Sequence, residues 1–206
     1  MVVLEYAILS IKSPHTSDTP SLKSGLQNAL QVLNKASAPS GAQFSLFQQI
    51  ENPQILHLLG SWTSVEAHHT FLPSTENLAL LEELKDLINV DLLFHAGMDK
   101  STLPLGAPCV AFARHFVKAG HKEDFAKVWG ENSHHLKDFT EPYPLVGGWR
   151  IDGVEEGIGG EWVQFSGFKT VEHHHEFAKT EGFKEYAKMK EFLERFEVVH
   201  AKALNW

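Results

Sequence analysis

Cysteine is almost missing from this chain: Cys109 stands alone among 206 residues. A single thiol excludes a disulfide framework and every cysteine-rich metal site. Positive charge is also scarce, with 18 Lys and Arg against 26 Asp and Glu, for a formal net charge of −8. Nucleic-acid and anionic-membrane surfaces need clustered cations, so neither partner is expected. No apolar run approaches the roughly 18 residues of a membrane span. The apolar stretch from Met1 to Ile11 contains Glu5 and lacks a basic flank and a cleavage site, so it reads as a strand rather than a signal peptide. These absences lead to the expectation of a soluble, cytoplasmic protein.

Histidine is the one excess, at 13 residues. It invites a metal or acid–base reading. The run His173-His174-His175 does not supply a metal site, because consecutive helical residues point about 100° apart. His134-His135 has the same weakness, and no carboxylate–histidine spacing suggests a metal set.

The chain repeats itself. Gly60-Ser61-Trp62-Thr63-Ser64-Val65-Glu66-Ala67-His68-His69-Thr70-Phe71 returns as Ser166-Gly167-Phe168-Lys169-Thr170-Val171-Glu172-His173-His174-His175-Glu176-Phe177. The match reaches back to Leu4–Ala7 against Val110–Ala113, and forward to Leu92–Ala96 against Glu197–Ala201. A period of about 106 residues is one small domain, not a solenoid unit. Strand patterns at Val2–Ile11, Ala42–Ile50, Gln54–Trp62 and Val90–Ala96 enclose a helix over Leu22–Leu33. A second helix is capped by Ser64, pauses at Pro73-Ser74 and resumes to Ile88. The second half repeats the order, with strands at Cys109–Val117, Leu145–Ile151, Glu161–Phe168 and Phe196–Ala201, and Gly157-Ile158-Gly159-Gly160 as a hairpin turn. Its helices run over Lys122–Lys137 and from the cap Thr170 through Phe192. The expected fold is α+β: two tandem ferredoxin-like β-α-β-β-α-β halves, residues 1–100 and 109–206, joined by a linker over 101–108. A sheet with helices on one face leaves the other bare, so the halves are expected to pack sheet to sheet.

Trp62-Thr63-Ser64-Val65-Glu66-Ala67-His68 and its second copy resemble the strand-to-helix junction of the dimeric α/β-barrel superfamily, in particular its antibiotic-biosynthesis-monooxygenase-like and stress-responsive members, here in a tandem fused form. The resemblance covers nearly the whole chain. It implies a small-molecule site between sheet and helices in each half. Its members include cofactor-free monooxygenases, polyketide cyclases, decarboxylases, isomerases, haem enzymes and proteins without known activity. One polyketide cyclase of the group uses a first-strand histidine and a helix tyrosine; these align with Glu5 and Ala111, and with Phe71 and Phe177, so its mechanism does not transfer.

Where the halves differ, chemistry is expected. On the helix-facing side, Leu9, Leu56, Leu58 and Gly60 of the first half become His115, Trp162, Gln164 and Ser166 in the second. The N-terminal pocket then reads as aliphatic and self-filled, and the C-terminal pocket as the polar one. His115 and His174 are the candidate proton carriers, with Gln164 as the third catalytic group and Ser166 beside it to hold an oxyanion. Trp162, Ser166, Phe168, Trp149, Arg150 and His200 are candidate substrate contacts. The repeated histidines His68/His174 and His95/His200 fit either a bracing hydrogen bond or a reactive role. The expected function is a cofactor-independent enzyme using acid–base chemistry for cyclisation, dehydration, decarboxylation or isomerisation of an aromatic or polyketide-like metabolite. The alternatives are a cofactor-free monooxygenase and a non-catalytic ligand-binding or stress-response protein. No metal is expected, haem is a minor alternative, and the chain is expected as a monomeric pseudo-dimer or a homodimer.

Overall fold

A computed structural model describes residues 2–205. Contacts divide the chain into two units: the first runs to Ser101 and includes the C-terminal residues from Ala203, and the second is Thr102–Lys202. Both are α+β with antiparallel strands. Among the described residues, no helix is long and apolar enough to cross a membrane.

The first unit comprises β1 (Val3–Ile11), α1 (Pro20–Ala36), β2 (Ser45–Gln49), β3 (Ile55–Trp62), α2 (Val65–Phe71), α3 (Thr75–Leu84) and β4 (Ile88–Ala96). Its strands lie in the order β4-β1-β3-β2. Proline in the first turn starts α1. Ser64 Oγ accepts from Ala67 N–H to cap α2, and Ser74 Oγ accepts from Asn77 N–H to cap α3. The pause at Pro73-Ser74 is therefore a true break between two helices. Ile88 was expected to extend the helix, but it opens β4 instead, pairing with Ile11. On the helix side of the sheet the core is mostly aliphatic: Leu22, Leu26 and Leu33 of α1 cover Ala7, Leu9, Leu56 and Leu58.

The second unit comprises β5 (Cys109–Lys118), α4 (Lys122–Thr140), β6 (Leu145–Trp149), β7 (Ile158–Phe168), α5 (Val171–Phe177), α6 (Glu181–Tyr186) and β8 (Leu193–Ala203). Its strand order is β8-β5-β7-β6. The expected glycine turn falls earlier than the sequence suggests. Ile158, Gly159 and Gly160 belong to β7, and a side chain on Gly159 would lie 2.3 Å from the Lys118 carbonyl oxygen. That close backbone approach is what its glycine permits. Here the core is aromatic and divided. Phe168, Phe177 and Leu136 form one cluster, while Phe125, Trp162 and Met189 form another.

Candidate functional site

Three strands of the first unit meet at Glu5. Its Cα partners are His95 on β4 and Gly60 on β3. Alternation turns Glu5, Ala7, Leu9 and Leu58 to the helix side, where they line a cavity of about 630 Å³. This lies within the roughly 300–1,000 Å³ usual for small-molecule sites. Its walls come from α1 and α3, including Leu26, Leu30, Leu33, Leu80 and Leu84. Among the described residues, no phenylalanine, tyrosine or tryptophan lines it. Leu72, Leu81, Val90 and Leu93 are lining residues that are also solvent-exposed, so the rim is aliphatic too.

At the buried end, the Trp62 indole N–H donates to Glu5 Oε2. His68, one turn into α2, brings Nδ1 to 3.4 Å from the same oxygen. His68 Nδ1 also lies 2.8 Å from His95 Nε2, so one of these nitrogens carries the shared hydrogen. Trp62 stacks on the His68 ring at 4.8 Å and 10°, fixing its plane. Glu5 is 2% exposed. Burial pushes its carboxyl up from 4.5 to about 7, with the Trp62 hydrogen bond opposing that rise. Near neutral pH this group can both accept and return a proton. The ligand atoms of Glu5, His68 and His95 lie within 4.8 Å of one another, a spacing that would also admit a metal ion.

The second unit repeats this frame without its carboxylate. His174 Nδ1 is 2.7 Å from His200 Nε2, and Phe168 stacks on His174 at 4.2 Å and 15°. Ala111 occupies the place of Glu5, opposite His200 and Ser166. The two differences belong together. Where the first half has an acid and an indole N–H to bond it, the second has neither.

A smaller cavity of about 130 Å³ lies on the helix side of this second sheet and gathers His115, Gln164, Ser166 and His174. Gln164 is engaged at both ends of its amide, accepting from Trp129 Nε1 at 2.7 Å and donating to Tyr186 Oη at 2.9 Å. Burial lowers His115 and His174 to about 4, so both are neutral at pH 7.

The other expected contacts lie outside that lining. Trp162 packs between Trp129 and Trp149, while Phe168 and His200 hold His174. Trp149 also packs against Phe125. Arg150 is bound to the protein's own carboxylate, Glu161, at 2.8 Å. The N-terminal pocket, expected to be filled by its own side chains, is the larger cavity. Sequence reasoning passed over Glu5, although the signal was there: it is the lone charged residue in a largely apolar strand, and Glu5/Trp62 change together to Ala111/Phe168.

No family model matches the chain, and no curated protein matches it. Solved structures do. An anthrone oxidase-like protein superposes with a TM-score of 0.68 at 11% identity, over 98% of this chain and 92% of the other. A proposed monooxygenase from Lactobacillus acidophilus gives 0.60 at 12% identity, over 99% of each chain. A heme-binding protein from Thermus thermophilus gives 0.61 at 8% identity, over 99% and 91%. At such identities the likeness establishes a shared fold.

Proposed function

We propose that the chain is a small-molecule enzyme whose N-terminal cavity binds a largely aliphatic, polyketide-like substrate, and that Glu5 moves a proton there. The observation that carries this reading is a buried carboxyl at the closed end of an aliphatic cavity, hydrogen-bonded by Trp62 and set against His68. Ionised Glu5 removes a proton from carbon next to a substrate carbonyl, leaving an enolate, and returns it at another position. His68 and His95 orient Glu5 and offer a route for its proton. Aliphatic walls exclude the water that would quench the enolate. Isomerisation or cyclisation is the reaction type this supports. A carbanion of the same kind could instead meet oxygen, and the names of the structural neighbours favour keeping that second reading. The expected role of His115, His174 and Gln164 in the catalytic step gives way in this proposal to Glu5.

Haem, suggested by the name of one neighbour, fits these residues poorly. The C-terminal cavity is the size of a single small ring. The N-terminal cavity has Lys85 as its only lysine or arginine for two propionates, and His68 is already held against Glu5 and His95. A Soret band that appears on adding hemin and is lost in His68→Ala would reverse this judgement. The test of the main proposal is proton exchange. A medium-chain aliphatic β-diketone in D₂O should gain deuterium faster with the protein than without it. Glu5→Gln should reduce that exchange by about 10²–10⁴-fold, the usual worth of a positioned acid–base group. Equal exchange by both proteins would refute the role of Glu5, and oxygen uptake during the same assay would select the monooxygenase reading.

A further inference from the structure

The C-terminal cavity has features the proposed reaction does not use. His115 is 6% exposed and lines this cavity; its ring interacts with the Trp162 backbone, but its Nδ1 makes no well-formed hydrogen bond. A buried imidazole nitrogen left in that state is costly, so a partner is called for. Ser166 and His174 line the same space, and His174 Nδ1 is the ring nitrogen engaged by His200, which leaves its other nitrogen for a ligand. The three groups are uncharged at neutral pH, because burial holds both histidines neutral. Among the described residues, no Asp or Glu lines the space, and its one lysine, Lys190, is exposed.

Shape and wall chemistry narrow the ligand. At about 130 Å³ the space is close to an engineered apolar cavity of about 150 Å³ that accepts benzene. Its apolar walls include Phe177, Phe183 and Phe196, whereas among the described residues no phenylalanine, tyrosine or tryptophan lines the N-terminal cavity. Flat aromatic ligands pack well against such rings. The polar groups match one hydroxyl: a neutral imidazole nitrogen accepts its hydrogen, and the serine donates to its oxygen. We infer that the C-terminal cavity is a binding site for a single-ring phenol, separate from the aliphatic site of the first half. Gln164 is a positioning residue here, since its bonds to Trp129 and Tyr186 hold the wall.

Calorimetric titration of the full chain with phenol and with benzene tests this, together with a crystal structure of the phenol complex. Phenol is expected in the C-terminal cavity, bound about 3- to 10-fold more tightly than benzene, the worth of one buried hydrogen bond. His115→Leu should abolish that preference while still binding benzene. Ala113→Leu, on the cavity floor, should block both ligands. Glu5→Gln should leave phenol affinity unchanged, which separates this site from the proposed reaction. Absence of binding, equal affinity for phenol and benzene, phenol located elsewhere, or indifference to both C-terminal substitutions would overturn the inference.

Discussion

Replacing Glu5 by glutamine should stabilise the protein, and only on the alkaline side. In the unfolded chain this carboxyl titrates near its ordinary 4.5, whereas in the native state burial pushes it up to about 7. Between those values the native protein holds a proton that the unfolded chain has lost, so native stability falls as pH rises through that window. Each pH unit is worth about 1.4 kcal/mol, which puts the full penalty above pH 7 at about 3 kcal/mol. Glutamine carries no such penalty, and its amide oxygen can still accept the Trp62 N–H. Wild type and variant should therefore be about equally stable near pH 4.5. By about pH 8 the variant should be about 3 kcal/mol more stable, or roughly 6–12 °C in Tm for a chain of this size. Urea unfolding at a series of pH values, followed by tryptophan fluorescence, would measure the difference. A difference that does not change with pH would refute the account of Glu5 as a buried carboxyl with a raised pKa. So would a variant that loses stability relative to wild type as pH rises. Loss of exchange activity alongside this gain would show function maintained at the expense of stability.

Three further outcomes follow from the same geometry. Leu58→Trp, opposite Ala7 in the N-terminal cavity, should abolish deuterium exchange into the β-diketone while leaving phenol calorimetry unchanged. Gly60→Ala should cost about 1–3 kcal/mol in urea unfolding, because its side chain would lie 2.0 Å from the buried Phe44 ring. Acid should act through histidine: burial lowers His57, His115 and His174 to about 4, so the unfolded chain binds more protons below 6.5 and stability is lost as pH falls from there toward 4. Unfolding midpoints in the Glu5→Gln variant, where the opposing carboxyl is gone, should show that decline most clearly.

Most of the fold was readable because it rests on local signals. The caps at Ser64 and Thr170, the leucine spacing of α1 and strand alternation each act within a few residues. The errors fell at junctions, where tertiary pairing decides: Ile88 has helical spacing but is claimed by Ile11 across the sheet. The site was harder to read. Alternation sorted His115, Gln164 and Ser166 onto one face, and the structure does bring them together around a cavity. It could not show which half would be open, because volume depends on how far α1 and α3 stand from the sheet. Nor could it show that Glu5, Trp62 and His68 converge, since that requires the register of β1 against β3 and the angle at which α2 leaves it. Counting polar residues drew attention to the half with more of them. One buried acid with a raised pKa has more effect on proton chemistry near neutral pH than histidines that burial keeps neutral.

The two histidine pairs have a practical consequence. His68–His95 and His174–His200 share ring atoms and spacing; the first has Glu5 beside it, the Trp62 indole stacked on it and deeper burial, whereas the second has Phe168 and no carboxylate. The chain thus contains its own reference compound. In one spectrum of protein labelled with ¹⁵N-histidine, the second pair reports how such a dyad behaves alone, at the same pH, salt and temperature. A difference in tautomer or titration between the pairs then reports the combined influence of Glu5, Trp62 and deeper burial, and the same spectrum of Glu5→Gln isolates the part due to Glu5.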